Sequence, residues 1–185
     1  MPQPLPLFVL TFFAGCASWS LAEYCIHRWA GHDKRFRPNF FEVEHTRHHA
    51  RGNYFAPSWK KAAAAAVVLA LVAPIASFAV GPALGFTYAV GFAGFYGTYE
   101  WVHRRAHNHA GFGAYGRYLR RHHFWHHFEN PKANHGVTSP IWDFVFRTHE
   151  VPEVIRVPKK LAMAWLINDD GSAVRPEFEG PYTLR

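Results

Sequence analysis

Cysteine is nearly missing from this chain. Cys16 and Cys25 are the only two in 185 residues, too few for a disulfide framework or a cysteine-based zinc module. Charge is missing over long distances. Residues Met1–Ala22 contain no Asp, Glu, Lys, Arg or His, and neither do the 38 residues Ala62–Tyr99. Acidic residues are few, 13 against 20 Lys and Arg, which leaves a net charge of +7. That excess, with a sequence pI near 9.6, resembles the footprint of a small nucleic-acid binder. The basic residues instead coincide with histidine clusters and with the flanks of apolar runs, so nucleic acid is not expected as a partner. The mean hydropathy of −0.16 averages strongly apolar sequence with strongly polar sequence.

The uncharged runs have membrane dimensions. A 38-residue helix would extend about 57 Å, against a hydrocarbon core of roughly 30 Å. Gly81-Pro82 lies near the middle of the run and is a turn signal, so the run reads as a hairpin of two spans, 62–80 and 83–100. Residues 5–22 form a third. Gly85, Gly91, Gly94 and Gly97 suit close helix packing in lipid. Two alternatives compete: buried helices of a soluble protein, or a signal peptide at the N-terminus. Phe13-Ala14-Gly15-Cys16 loosely resembles a lipoprotein cleavage box, but the first Lys or Arg is Arg28, so a basic n-region is missing. All Lys and Arg fall in two stretches, eight in 28–61 and twelve in 104–185. Three spans place both stretches on one side, which the positive-inside rule makes cytoplasmic. The expected fold is an all-α integral membrane protein, a single domain over 1–185. It has about three spans, a cytoplasmic helical cap bearing the histidines, and a tail over 150–185.

The 14 histidines occupy the same two stretches. Ten form four boxes: His27 and His32; His45, His48 and His49; His103 and His107; His123, His126 and His127. In a helix, positions i, i+3 and i+4 share a face, so each H-x2-H-H triplet is expected to project together. His27 and His32 are five apart, which fits no α-helical face, and Gly31 is the expected break. Ten clustered imidazoles near neutral pH need something to coordinate, and neutral imidazole suits Zn, Fe, Cu or Ni. One tetrahedral ion cannot use ten nitrogens; two ions can. His109, His135 and His149 read as surface residues or as partners behind the ligands, and His122 falls outside the i, i+3, i+4 set. Glu23 and Glu100 stand four and three residues before His27 and His103, where each could orient a ring.

The boxes, with Glu-Tyr-x-x-His-Arg at 23–28 and Gly-Val-Thr-Ser-Pro-Ile-Trp-Asp-Phe-Val-Phe at 136–146, resemble the fatty acid hydroxylase / sterol desaturase superfamily of membrane histidine-box oxygenases. The closest likeness is to its fatty acid and sphingolipid 2-hydroxylase branch. The resemblance implies that His27, His32, His45, His48, His49, His103, His107, His123, His126 and His127 ligate two iron ions, with zinc as a substitute in purified protein. No catalytic residue beyond these ligands is implied. It further implies an O2-dependent hydroxylase acting on a C–H bond of a lipid, a fatty acid or fatty acyl chain. Sterol or carotenoid oxidation is the related alternative. Such a bond lies beyond side-chain acid–base or nucleophilic chemistry and needs a redox cofactor.

Some relatives carry a fused cytochrome b5 domain with a His-Pro-Gly-Gly motif. That motif is missing here, so electrons are expected from a separate ferredoxin- or cytochrome b5-like protein. A metal transporter would place ligands inside its spans, and Ala62–Tyr99 has none; a non-catalytic zinc protein remains an alternative. Tyr24, Trp29, Phe124 and Trp125 are candidate walls of an apolar channel or an interfacial belt. Residues 158–167 are expected to form a short amphipathic helix.

Overall fold

A computed structural model describes residues 3–111 and 113–185. Helix α1 (Leu5–Cys25) runs directly into a π-helical segment, Ile26–His32, followed by α2 (Phe40–Arg51), α3 (Ser58–Val80), α4 (Pro82–Asn108), α5 (Gly113–Phe128) and the short α6 (Ile141–Val145). Two short strands close the chain, β1 (Ile155–Val157) and β2 (Tyr182–Leu184). The elements form two compact units, each assembled from separated stretches. One comprises the chain up to Ala22 with Ala56–Glu100, the other Glu23–Phe55 with Trp101–Arg185.

In the first unit the hairpin turns at Gly81, whose φ of +88° favours glycine. Pro82 then occupies the first position of α4, where its missing N–H costs nothing. A Cβ at Gly85 would lie 2.3 Å from the Ser77 nitrogen, so glycine lets the two arms approach just beyond the turn. Helix α1 meets α4 in the same way. A Cβ on Gly15 would stand 2.2 Å from the Tyr88 carbonyl oxygen, and one on Gly91 would stand 2.1 Å from that of Phe12. Gly94 and Gly97 differ from expectation, because a Cβ at either meets open space. Trp19 packs edge-on against Phe92 and Tyr96 on α4.

Two helical segments, Leu5–His32 and Ser58–Val80, are long and apolar enough to cross a membrane. Helix α3 has no buried residue, and Phe78 is 96% exposed. A helix apolar all round, touched by α4 yet with no residue buried, has the character of a membrane helix more than of a soluble core. Helix α4 does not join the two. Over 82–99 it is uncharged but carries four glycines, three tyrosines and two threonines, which dilute its hydropathy.

The second unit holds α2, α5, α6 and the tail. Helix α2 starts where the Asn39 side chain accepts the Glu42 N–H at 2.9 Å and ends at Gly52, φ +55°. The tail departs from the all-α expectation. Strands β1 and β2 pair in parallel, Ile155 with Tyr182 and Val157 with Leu184. Residues 158–167 form no amphipathic helix, only a 3₁₀ turn at Lys159–Leu161. Met163 and Leu166 instead enter a core with Ile155, Val157, Val174, Tyr182 and the α5 residues Phe124 and Phe128. Arg120 of α5 is buried, stacks on Trp165 at 4.2 Å and donates to the carbonyls of His109 and Ala110. Trp165 Nε1 donates to the His107 carbonyl at 2.7 Å. The tail thereby ties the end of α4 to α5.

The glycine contacts separate two substitutions on one helix. Gly91→Ala forces a side chain into the Phe12 carbonyl and should destabilise by about 1–3 kcal/mol. Gly94→Ala enters open space and should be neutral or stabilising by up to about 1 kcal/mol. Thermal unfolding in detergent distinguishes them; equal midpoints would contradict the packing.

Candidate metal centre

All ten box histidines converge in the second unit, in two sets of five. His27, His32, His45, His49 and His126 form one; His48, His103, His107, His123 and His127 form the other. Within each set one nitrogen per ring lies within 4.8 Å of all the others. The π-helical segment explains the first box. Its wider turn bonds i to i+5, so residues five apart stack on one face, and the His27 and His32 ring centroids are 5.3 Å apart. Gly31 does not break the helix. It sits against α2, where a Cβ would meet His45 Cδ2 at 3.0 Å.

The triplets do not act as single units. On α2, His45 and His49 (i, i+4) join one set and His48 the other; on α5, His123 and His127 join one and His126 the other. Positions i and i+4 differ by about 40° around the helix, whereas i and i+3 differ by about 60° in the opposite sense. Each triplet therefore straddles both sets. The stacked rings of His49 and His127, 4.0 Å apart, connect the two.

Several rings are held from behind. The Nδ1 of His27 meets the His135 carbonyl at 2.5 Å, that of His48 the Tyr54 carbonyl at 2.6 Å, and that of His126 the Ala133 carbonyl at 2.7 Å. A carbonyl only accepts, so each Nδ1 carries the proton and each Nε2 presents a lone pair inward. In the first set, His32 Nε2 lies 2.8 Å from His45 Nε2 and 2.9 Å from His126 Nε2, and His45 lies 3.0 Å from His49. In the second, His48–His103 and His107–His123 are 2.9 and 3.0 Å. Two nitrogens each about 2.1 Å from one ion at a right angle are about 3.0 Å apart. The buried Nε2 atoms of His27 and His127 have no hydrogen-bond partner. Converging lone pairs with orphaned buried nitrogens fit a bound transition-metal ion. An all-nitrogen donor set does not suit Mg²⁺ or Ca²⁺.

Burial, reinforced by neighbouring imidazoles, holds His45, His49, His123, His126 and His127 well below the ordinary imidazole range. Phe55 packs against His48, His103 and His107, and Phe124 against His107. Phe124 and Tyr24 are both fully buried. They are packing residues rather than channel walls: Phe124 joins the tail core and Tyr24 stacks on Phe146.

Two carboxyl groups hold the segment that anchors His27. Asp143 accepts the N–H groups of His135 and Gly136, both at 2.8 Å, while Glu23 accepts those of Val137 at 2.7 Å and Thr138 at 3.0 Å. Four successive amides are thus divided between two buried acids. Glu23 does not orient a ligand ring directly; it clamps backbone. Glu100 pairs with Lys61 at 2.6 Å. Asp143 also accepts from His122 Nε2 at 3.0 Å and Thr148 Oγ1 at 2.7 Å. Burial pushes its carboxyl up, but the hydrogen bonds from His122, Thr148 and Gly136 outweigh that and hold it below the usual range. His135 is buried, not a surface residue, and its ring lies edge-on to Tyr24 and His27. His149 is half-buried, stacked on Phe144, and His109 is exposed. Asp143 had no role in the pattern of boxes; its signal was the Trp-Asp pair within 136–146.

Unburied apolar helices together with two five-imidazole clusters that could each hold a metal ion have the character of a membrane metalloprotein. The family model "Fatty acid hydroxylase" matches residues 12–148, and the chain belongs to that family. It is 28% identical over 154 residues to the ceramide very long chain fatty acid hydroxylase scs7 of Schizosaccharomyces pombe, covering 78% of this chain and 44% of that protein. It is 30% identical over 155 residues to the fatty acid 2-hydroxylase of Homo sapiens, covering 78% and 41%. The chain spans less than half the length of these curated relatives. Its fold is similar to the solved structure "Full length scs7p (only hydroxylase domain visible)", with a TM-score of 0.64, 22% identity, and coverage of 81% of this chain and 59% of that one.

The depressed imidazole basicity has a consequence for the metal-free protein. Unfolded histidines take up protons near pH 6.5, whereas His135, for example, is pushed by burial down to about 4. Between those values the unfolded state binds more protons, so stability is full above about pH 6.5 and is lost as pH falls toward 4. The thermal midpoint of metal-free protein in detergent should be lower at about pH 5 than at about pH 7.5. An unchanged or higher midpoint would show that the rings are not held neutral.

Proposed function

We propose that this chain is a membrane-bound hydroxylase that inserts one oxygen atom of O2 into a C–H bond of a fatty acid or fatty acyl chain. The observation that carries the reading is the pair of all-imidazole sets. His27, His32, His45, His49 and His126 would hold one iron ion, and His48, His103, His107, His123 and His127 the other. The bound iron pair supplies the redox chemistry that activates O2. The balance is R–H + O2 + 2 e⁻ + 2 H⁺ → R–OH + H2O, with both electrons delivered by a separate ferredoxin- or cytochrome b5-like donor.

The protein's own groups orient and shield. The carbonyls of Tyr54, Ala133 and His135 fix ring tautomers so that each Nε2 faces its ion. Phe41, stacked on His45 at 5.3 Å, together with Phe55 and Phe124, keeps water from the imidazoles. Five donors per ion exceed the closed four-ligand shell of structural zinc, which counts against a purely structural zinc role. The curated relatives named above are hydroxylases of fatty acid or ceramide, so an acyl chain is a better substrate than a sterol or carotenoid. Three crossings, at 5–22, 62–80 and 83–100, would put both basic stretches and the histidines on the cytoplasmic face. The confinement of all Lys and Arg to those two stretches supports that orientation.

Iron-loaded protein, reduced by a competent donor under ¹⁸O2, should yield a hydroxylated lipid carrying ¹⁸O by mass spectrometry. His126→Ala should lower the yield by at least about 100-fold. Purified wild type should hold about two metal equivalents. Retention of both after joint replacement of His48, His49, His126 and His127 would overturn the ligand assignment. Absence of oxygenated product across acyl, sterol and carotenoid substrates would overturn the activity.

A further inference from the structure

Asp143 is not a ligand in the metal-centre reading, yet this fully buried residue is one peptide group away from His27. Its Oδ2 accepts the Gly136 N–H at 2.8 Å. The carbonyl of that same peptide, belonging to His135, accepts the Nδ1–H of His27 at 2.5 Å. We propose that Asp143 is a positioning residue for His27, acting through the 135–136 peptide to fix the imidazole and strengthen its Nε2 as a donor to the ion held with His32, His45, His49 and His126. The inference rests on the reading of the two sets as metal sites.

The mechanism is hydrogen-bond cooperativity. A carboxylate at a peptide N–H polarises the amide and makes its carbonyl a stronger acceptor. An imidazole donating to a stronger acceptor becomes more basic at its other nitrogen, as in carboxylate–histidine–metal arrays. Here a peptide group stands between carboxylate and ring. His126, in the same set, supplies an internal contrast. Its anchoring carbonyl belongs to Ala133, and the N–H of that peptide, on Asn134, donates at 2.9 Å to the neutral Thr148 carbonyl. The carboxylate is itself fixed by the His135 N–H, Thr148 Oγ1 and His122 Nε2. Gly136 is required for the approach: a Cβ there would lie 2.1 Å from the Ser139 carbonyl oxygen and 2.9 Å from Asp143 Oδ2.

The test uses the full chain in detergent, with zinc as the probe, chelator competition and metal analysis. Wild type should hold about two equivalents. Asp143→Asn should bind one equivalent about 10–100-fold more weakly and leave the other unchanged. In a His27→Ala background, adding Asp143→Asn should cause no further loss at that site, because the coupling runs through His27. Equal weakening of both equivalents, no weakening, or additive losses would overturn the proposal. If Asp143→Asn does not accumulate, histidine-selective NMR of zinc-loaded wild type decides, with assignments from single His variants. The Nδ1 proton of His27 should resonate downfield of that of His126; equal or reversed shifts overturn the relay. Wild type holding fewer than two equivalents overturns the metal-centre reading itself, and the relay with it.

Discussion

A buried neutral imidazole is oriented when one nitrogen is engaged away from the cluster and the other is turned inward for a cation. That is the state of His27, His48 and His126, whereas the Nδ1 atoms of His123 and His127 are buried without a partner. The orienting contacts reach well beyond the ten histidines. Helix carbonyls are already spent on their own helix, so the outward nitrogens of these three rings use carbonyls in loops. His48 uses Tyr54 in the loop after α2; His126 and His27 use Ala133 and His135 in the segment between α5 and α6. Those loops must therefore be as well ordered as the helices. Gly52 lets the chain turn back after α2, and Asn134 adopts φ +57° while its side chain brackets Glu150. Gly136 allows the backbone onto Asp143. The polar groups of these loops are satisfied by design of the same segment that orients the rings.

How much of this could be read from the residues alone depends on the scale. The two uncharged runs, the hairpin turn at Gly81-Pro82 and the membership of all ten histidines in one region follow from composition and spacing. The division of those histidines does not. His45, His48 and His49 look like one cluster along the chain, but two sets compete for one helix, and turning by about 60° from His45 and about 100° from His49 sends His48 away from both. A five-residue spacing has no natural α-helical face, and a break at Gly31 is the simpler expectation. The π-helical turn satisfies the spacing without a break, because the tertiary demand for two rings on one side outweighs the local preference for α geometry.

The tail was the least legible part. A Lys-Lys-Leu-Ala-Met-Ala-Trp-Leu-Ile run over 159–167 carries a helical composition. Packing against the apolar residues of α5, β1 and β2 settles the chain into turns instead. Met163 and Leu166 then bury three residues apart beside Ile155, Val157 and Tyr182. This core covers the back of α5, whose other side bears His123, His126 and His127. A helix carrying three inward imidazoles gains little from its own periodicity. Its position has to come from packing on the opposite side, which is what the tail supplies through Phe124, Phe128 and Arg120.

The nitrogen-only character of the two sets has a structural origin as well. Carboxyl groups are close at hand, yet Glu23 and Asp143 are engaged by four successive amides, a hydroxyl from each of Thr138 and Thr148, and the His122 ring. An acid committed to holding backbone in this way is drawn away from a metal-ligand role. Ligation by neutral imidazole would leave the full charge of two ions within a buried site, where only distant or relayed anions could offset it. Asp143 is placed to do that through one peptide group without becoming a ligand. The positions open to exogenous ligands would then be the only ones at which a negatively charged group could meet the ions directly. Such a centre would favour binding of species that gain negative charge as they react, which is what the proposed reduction of O2 requires.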